Sequence, residues 1–461
     1  MKTRTLQRAL AIATAFAMSA TLAACGSSTA TSGSSSTPTS GSSSTPTSGS
    51  SSTPTSASST SGAPITVWTA STKAEVFFSD AVDAWNKAHP DAQITVDLFA
   101  SDAYKEKIRT SIGSGNAPTL IYSWAGGTLA DYVAKGEVAD ITAQTPDLLK
   151  RVIPSVADTG KVNGKVYAVP NNQSQPVVMY YNKKLFAQVG VQVPTTWDEL
   201  LTVVKAFNAA GIAPFSMAGQ SKWPDLMWIE YLVDRIGGPA VFKAIMDGKA
   251  GAWSDPAVAA ALTKIQELVA AGGFAKGFAS ISADSNADLA LVDTDKAAMI
   301  LQGSWVYSTF KSDAPQFVSS GNLGYMRFPT IPGGTGDPAD IVGNPSNYWS
   351  VSSTASAAQL QTATSFLNTL VLNDAYVATM IQAGSVPPVA GLESQLAASS
   401  DAGFLTMAYG MVRDAPSFQL SWDQALSPAQ GQALLTNLDQ IFLGQIKPQQ
   451  FVDNMNATIG Q

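Results

Sequence analysis

Short strand-like segments alternate with helical segments, and this alternation constrains the fold more than any other feature of the chain. The runs Ile65–Trp68, Ile94–Leu98 and Leu120–Tyr122 are strand-like, and an amphipathic helical pattern spans residues 78–85. Strands that alternate with helices form βαβ units, which produce a largely parallel sheet. The sequence therefore predicts an α/β fold.

Later segments are mostly helical and have clear starting signals. Thr196–Glu199, Ser356–Gln359 and Ser427–Gln430 each match the capping-box pattern. Between these helices lie further strand-like runs, so the chain is α/β, then helical, then α/β, then helical. Two lobes built from discontinuous pieces would give this order, and two consecutive domains would give it too.

The N-terminus has the pattern of a targeting segment. Basic residues precede a short apolar run at 9–20, which is followed by Leu22–Cys25. The run is too short for a stable membrane span, so residues 1–24 are predicted to be a signal peptide. Small residues before a cysteine match the bacterial lipobox, which predicts that Cys25 is lipidated and anchored to the outer face of the membrane. The alternative is an ordinary signal peptide with a chance cysteine.

Residues 25–63 are predicted to be a lipidated cysteine followed by a disordered linker. The octapeptide GSSSTPTS occurs three times between Gly33 and Ser56, and the segment after Cys25 has no charge and no large apolar side chain. Such a segment cannot bury enough surface to offset its chain entropy. As a random coil it would reach roughly 35 Å, which is enough for a tether.

The composition excludes several chemistries. The chain has one cysteine and one histidine, so internal disulfides, cysteine nucleophiles and histidine-based metal or triad chemistry are not expected. His89 is expected at the surface end of a helix. Removal of the signal peptide takes away three basic residues and no acidic ones, which moves the formal charge from −7 to −10. That charge argues against nucleic-acid binding, and no cofactor is expected.

Four spaced motifs occur in order along the chain, at Lys165–Pro170, Met179–Phe186, Pro194–Leu200 and Lys296–Trp305. Together they resemble the motifs of the bacterial extracellular solute-binding proteins of family 1, which include maltose-binding protein. Asp295 stands where that family usually has glycine. The resemblance covers the chain from about residue 64 to its end.

The resemblance implies a type II fold in which two discontinuous α/β lobes are joined by crossing strands. The expected N-terminal lobe comprises 64–172 and 299–345, and the expected C-terminal lobe comprises 173–298 and 346–461. The crossings are expected near 170–176, 295–301 and 344–349. The resemblance also implies a monomeric, non-enzymatic protein that closes on its ligand by hinge motion and delivers it to the permease of an ABC importer.

Aromatic side chains are candidates for sugar contact, because a ring face matches the weakly positive C–H face of a sugar. Five tryptophans are selected by their place in the chain or in the family pattern. They are Trp124, Trp223, Trp305, Trp349 and Trp422. Core packing is the alternative for Trp124 and Trp305.

Polar side chains at the crossings, in the loop after the first strand and at one helix start are candidates for contact with sugar hydroxyl groups. These residues are Lys73, Asn171, Gln173, Gln175, Asp225 and Asn347. For Lys73, Asn171, Gln173 and Gln175 the alternative is a solvated loop residue. Asp225 has helix capping as its alternative. The crossing segment 171–175 is neutral, whereas the maltodextrin binders of the family carry an acidic residue there.

The expected ligand is a short oligosaccharide. The segment Asp414–Leu426, together with Asn344–Trp349, looks similar to actinobacterial binders of xylobiose and related sugars. One alternative is a binder of a non-sugar solute such as a peptide, a polyamine or ferric ion. Another is a surface glycosidase, although Asp225 and Glu230 are five residues apart on one helix and do not share a face.

Overall fold

The computed structural model describes residues 62–460. The predicted signal peptide, Cys25 and the linker up to residue 61 lie outside the described residues. Ala63, assigned to the linker from sequence, is part of the folded unit. Its backbone N–H donates to Thr362 Oγ1 over 3.1 Å, and the Thr362 hydroxyl donates back to the Ala63 carbonyl over 2.9 Å. The predicted linker boundary is therefore slightly too late.

Thirteen strands lie between residues 62 and 460. They are β1 (Ile65–Thr69), β2 (Ile94–Leu98), β3 (Leu120–Ser123), β4 (Lys161–Val162), β5 (Lys165–Val166), β6 (Val169–Pro170), β7 (Gln175–Asn182), β8 (Ala213–Ser216), β9 (Ala297–Gly303), β10 (Leu323–Met326), β11 (Ile341–Asn344), β12 (Tyr348–Val351) and β13 (Phe418–Leu420).

The same residues form twenty α-helices. They are α1 (Val76–Ala88), α2 (Ser101–Gly113), α3 (Gly127–Ala134), α4 (Pro146–Arg151), α5 (Pro154–Asp158), α6 (Lys183–Val189), α7 (Trp197–Ala209), α8 (Trp223–Gly237), α9 (Pro239–Met246), α10 (Pro256–Ala270), α11 (Ala287–Asp293), α12 (Trp305–Asp313), α13 (Pro315–Ser319), α14 (Ala357–Thr369), α15 (Asp374–Ala383), α16 (Glu393–Ala397), α17 (Ala402–Asp414), α18 (Trp422–Ala425), α19 (Pro428–Phe442) and α20 (Pro448–Asn456). None of these helices combines the length and the apolar character that crossing a bilayer requires.

The first sheet has the order β2-β1-β3-β12-β6. β1 runs parallel to β2 and β3, as the βαβ pattern predicts, whereas β12 is antiparallel to β3 and β6. Ile65 and Val67 of β1 face the core, which helices such as α1 and α14 complete. We call this sheet and its helices the first lobe.

The second sheet has the order β13-β11-β7-β9-β8, and β10 also pairs with β7. Along β7 the side chains alternate between two cores: Val177 and Met179 pack on one side, and Val178 and Tyr180 on the other. Helices therefore cover both faces, which explains why β9 is buried along its whole length. We call this sheet and its helices the second lobe.

Two of the three predicted crossings are confirmed by the sheet topology. The chain leaves the first sheet after β6 and enters the second at β7, and it returns between β11 and β12. The crossing predicted near 295–301 is wrong, because β9 pairs with β7 and β8 inside the second sheet. A third passage instead lies between α15, which packs on α1, and α17, which packs on β7.

The predicted lobe boundaries are wrong at two places, because strands there pair in the other sheet from the one expected. Residues 299–345 were assigned to the N-terminal lobe, but β9, β10 and β11 belong to the second sheet. Residues 346–461 were assigned to the other lobe, but β12 is hydrogen-bonded into the first sheet and α14 packs against β1. A short apolar strand can pair in either sheet, so its own sequence does not identify its partner.

The predicted helix starts are confirmed. Thr196 with Glu199, Ser356 with Gln359 and Ser427 with Gln430 form complete capping boxes at α7, α14 and α19. His89 is exposed at the C-terminal end of α1, where its ring stacks on Trp85.

Candidate ligand-binding cleft

A cavity of about 580 Å³ lies between the two lobes and is walled by residues of both. The loop after β1, the residues around the end of β3 and the two strand crossings provide one part of its lining. The first residues of α8 and α12 provide another part from the second lobe. The volume lies within the range of roughly 300–1,000 Å³ that is usual for small-molecule sites.

Most of the side chains selected from the sequence line this cavity. Those that do are Lys73, Trp124, Asn171, Gln173, Gln175, Trp223, Trp305, Asn347 and Trp349. Asp225 and Trp422 do not.

Amide side chains form the floor of the cleft where the chain crosses between lobes. Asn171, Gln173 and Gln175 lie on one crossing, and Asn344 and Asn347 on the other, all buried or nearly so. Asn344 Nδ2 donates to Gln175 Oε1 at 3.5 Å.

Several of these floor atoms have no hydrogen-bond partner among the described residues. Asn171 Nδ2 is a free donor, whereas Gln173 Oε1, Asn344 Oδ1 and Asn347 Oδ1 are free acceptors. Buried polar atoms are normally paired, so these four atoms have hydrogen-bonding capacity that the described residues leave unused.

Two indole rings of the second lobe form an aromatic wall. Trp223 and Trp305 are both partly exposed, and their ring centroids lie 5.9 Å apart at 50°. Each is the first residue of its helix, so the helix end carries the ring to the edge of the lobe. Trp124 of the first lobe is more buried and packs edge-on against Tyr122.

Trp349 reaches the cavity but presents little of its ring. Its side chain is 2% exposed and packs against Phe78 and Tyr122, with ring centroids 5.3 and 5.6 Å away. Its Nε1 finds no hydrogen-bond partner among residues 62–460. Trp349 is therefore better suited to donate one hydrogen bond than to stack on a ligand.

Glu75 also lines the cavity, although no sequence pattern selected it. Its side chain is partly exposed to the cleft but surrounded by protein, and burial raises its pKa to about 7 against the opposing effect of a hydrogen bond with Asn172. Tyr122 and Tyr376 also line the cavity. The sequence gives one local indication that Glu75 lies at the cleft, which is its position two residues after Lys73. An acidic residue just before a helix is usually solvent-exposed, so this indication is weak.

Other charged groups missed from sequence line the second-lobe side. Burial raises the pKa of Asp288 to about 6, and Lys311 Nζ donates to Asp401 at 2.5 Å. Asp284 and Lys105 each make a contact between the lobes, with Ser101 and Asp423 respectively. No group of three or more His, Cys, Asp or Glu side chains that could hold a metal ion occurs within residues 62–460.

The prediction that Trp422 contacts ligand is wrong. Its ring is 0% exposed and stacks on Phe242 at a centroid distance of 4.2 Å and an interplanar angle of 3°, with Trp253 at 5.9 Å. The backbone N–H of Trp422 donates to Glu230 Oε1 at 2.8 Å, which holds the start of α18 against the lobe interior. The same segment does reach the cavity, through Gln424 two residues later.

The prediction for Asp225 is also wrong, for sugar contact and for capping. Asp225 is buried in the second lobe, and neither of its carboxylate oxygens has a hydrogen-bond partner in the part of the chain that the structure describes. Burial and the nearby Asp439 raise its pKa well above the usual value, while Lys222 lowers it. Glu230 also lies outside the cavity lining, and burial raises its pKa to about 8.

Two lobes joined by strand crossings, with a polar and aromatic cleft between them, define the class of two-lobed ligand-binding proteins. The chain belongs to the family of bacterial extracellular solute-binding proteins, since the profile described as "Bacterial extracellular solute-binding protein" matches residues 69–377. This confirms the resemblance carried by the four motifs.

Solved structures with the same fold agree with this assignment. A structure from a study of xylan utilization by the thermophilic bacterium Caldanaerobius polysaccharolyticus is 29% identical, has a TM-score of 0.77, and matches 86% of this chain and 100% of its own. A chitin oligosaccharide binding protein is 23% identical with a TM-score of 0.76, and the match covers 86% of this chain and 98% of that one. These neighbours are two-lobed type II proteins, so the predicted fold class is confirmed.

Curated relatives match over a shorter region. An uncharacterized ABC transporter extracellular-binding protein of Pyrococcus horikoshii is 26% identical over 53% of this chain and 56% of its own length. The multiple sugar-binding protein of Streptococcus mutans is 26% identical over 50% of this chain and 54% of its own length. The chain thus spans about half the length of the curated relatives it matches.

Proposed function

We propose that this protein captures a short oligosaccharide between its lobes and delivers it to an ABC importer without chemical change. The observation that carries the proposal is the pairing of exposed indole surface with unpartnered amide atoms around one cavity. Trp223 and Trp305 offer ring faces, and the crossing floor offers both donors and acceptors.

This combination suits a sugar better than the other solutes considered. A sugar has C–H faces that pack on aromatic rings and hydroxyl groups that both donate and accept hydrogen bonds. A polyamine would need convergent free carboxylates. The cavity lining does carry Glu75, Asp284, Asp288 and Asp313, but each of them is hydrogen-bonded to a protein group. The crossing floor consists of neutral amides, and the lining also carries Lys73, Lys105 and Lys311.

Within this class we favour a short xylo-oligosaccharide such as xylobiose. The support is the similarity to a protein studied in xylan utilization. That protein is 29% identical, and the match covers 100% of its chain. The neutral segment 171–175 lines the cleft where the maltodextrin binders carry an acidic residue.

The proposed location follows from the family and from the N-terminal motif. The family consists of extracellular proteins, and the lipobox ending at Cys25 would tether the mature protein to the outer face of the membrane. We propose that it acts there as a monomer with the permease subunits of the importer.

Isothermal titration calorimetry with disaccharides and trisaccharides tests the proposal. We expect saturable binding of xylobiose or xylotriose, and no binding of spermidine or a tripeptide. No heat from any sugar at millimolar concentration would contradict carbohydrate capture. Hydrolysis of a chromogenic xyloside would contradict binding without chemistry and would favour the glycosidase alternative.

A further inference from the structure

Lys105 occupies an unusual position between the two lobes. It lies on α2, which packs on the first sheet through Tyr104 and Ile108. Its Nζ lies 5.7 Å from the ring centroid of Trp124 in the first lobe and 5.7 Å from that of Trp223 in the second. It also lies 3.8 Å from Asp423 Oδ2. The ammonium group is thus within cation–π distance of both indoles.

Contacts from the second lobe fix α2 in this place. The Asp284 carboxylate accepts hydrogen bonds from the backbone N–H groups of Ser101 and Asp102, at 2.9 and 3.2 Å. Ser221 Oγ donates to the Asp102 carboxylate at 2.6 Å. The first turn of α2 is therefore capped by a residue of the other lobe, and the negative charge at this helix end is favourable. Lys105 lies one turn further on.

Lys105 also stands between two cavities. It lines the main cleft of about 580 Å³ and a second cavity of about 30 Å³. Trp223, Trp305, Asn344 and Gln424 border both spaces, while the rest of the smaller one is formed by second-lobe residues. Among residues 62–460, Lys105 is the only first-lobe residue in the lining of the smaller cavity.

We infer that Lys105 closes one end of the sugar groove and thereby limits the length of the oligosaccharide that the protein accepts. This inference rests on the proposed carbohydrate function. The ammonium group takes the position beside Trp223 where the next sugar ring of a longer chain would stack, and its pairing with Asp423 holds it there. Removal of the side chain would join the two cavities and expose more of the Trp223 face.

A length series tests the inference, with xylobiose, xylotriose and xylotetraose titrated calorimetrically into wild type, Lys105→Ala and Lys107→Ala. Lys107 is a matched control, since it is a lysine of the same helix whose Nζ lies over Trp68 and Phe99 outside the cavity. We expect Lys105→Ala to raise the affinity for xylotetraose relative to xylobiose by about tenfold, or about 1.4 kcal/mol. Lys107→Ala should leave that ratio unchanged.

The possible failures are distinguishable. An equal loss of affinity for all three sugars in Lys105→Ala would overturn the inference, because the lysine would then serve only to hold the lobes together. An unchanged ratio in a variant that still binds would overturn it as well. If the wild type binds none of the three sugars, the proposed xylo-oligosaccharide function fails first and the inference fails with it.

Discussion

Trp223 and Trp422 are both first residues of second-lobe helices, yet they have opposite surroundings. Trp223 is partly exposed, lines the cleft and lies beside Trp305. Trp422 is fully enclosed and stacks on Phe242. Their sequence positions suggested the same role for both. The difference shows that an aromatic residue at a helix start can identify a segment near the cleft. The contacts of that segment with the rest of the lobe determine whether the ring faces the cleft or the core.

The partners of the two segments explain the difference. The backbone N–H of Trp422 is bound by the buried Glu230, and Gln419 Oε1 accepts from Trp422 Nε1 at 3.4 Å. These bonds turn the indole into the lobe. Trp223 Nε1 has no such partner within residues 62–460, and Lys105 Nζ lies 5.7 Å from the Trp223 ring centroid from across the cleft.

The largest effect that tests the contrast between Trp422 and Trp223 is a loss of stability on replacing Trp422. Trp422→Ala should reduce the free energy of unfolding by about 3–5 kcal/mol, because it removes a large, fully buried side chain and leaves a cavity. Guanidinium unfolding curves measure this loss. Trp422→Phe, which retains an aromatic ring to pack on Phe242, should lose clearly less.

A particular result would reverse the assignment. If Trp422→Ala unfolded like wild type but bound sugar at least tenfold more weakly, the ring would have to lie in the cleft, as the sequence suggested.

A smaller effect, and one on binding, is expected at the other tryptophan. Trp223→Ala should weaken sugar affinity about tenfold, or about 1.4 kcal/mol, because it removes a stacking surface from the aromatic wall. Trp223→Phe keeps a ring face and should retain most of the affinity. Calorimetric titration of both variants, together with their unfolding curves, would measure the two effects separately.

The contrast between the tryptophans would fail if Trp223→Ala bound sugar like wild type. It would also fail if the variant lost as much stability as Trp422→Ala, because Trp223 would then be part of the core.

The sequence predicted the features that depend on local signals. The capping boxes at Thr196, Ser356 and Ser427 form as expected, since each depends on residues only three positions apart. The crossing residues 171–175 were found for a similar reason, because they lie directly between two recognisable motifs. The family match then supplied the two-lobed fold.

Features that depend on distant partners were not predicted. β12 pairs with β3, more than two hundred residues earlier, and nothing in its own four residues identifies that partner. Asp284 matters because it reaches the start of a helix in the other lobe. Glu75 matters because the crossing residue Asn172 and two tyrosines surround it. A single sequence gives no signal for such contacts.

Two carboxyl groups extend the contrast between cleft and lobe interior. Burial raises the pKa of both, to about 7 for Glu75 at the cleft and to about 8 for Glu230 inside the second lobe. A ligand in the cleft can reach Glu75, whereas Glu230 lies outside the cavity lining. Sugar binding should therefore change the titration of Glu75 and leave that of Glu230 nearly unchanged.

The smallest expected effect concerns the pH dependence of stability at Glu75. Because its folded pKa lies above the ordinary value of 4.5, the native state holds a proton that the unfolded chain releases. Stability from this group is therefore greatest below about pH 4.5 and declines as the pH rises to about 7. Glu75→Gln removes this decline. The free energy of unfolding of the variant should therefore rise by about 1 kcal/mol relative to wild type across that interval. The value is modest because the open cleft screens the charge.

Unfolding curves at several pH values measure this difference, and Glu199→Gln provides a control of opposite sign. Hydrogen bonds from Thr195 and Thr196 lower the pKa of Glu199, so stability from that group is lost as the pH falls. A Glu75→Gln curve parallel to wild type from about pH 4.5 to about 7 would show that Glu75 titrates like an exposed carboxyl group. Added sugar should alter the slope of stability against pH in wild type but not in Glu75→Gln. That result would place the Glu75 carboxyl group in the binding cleft, in contrast to the buried Glu230.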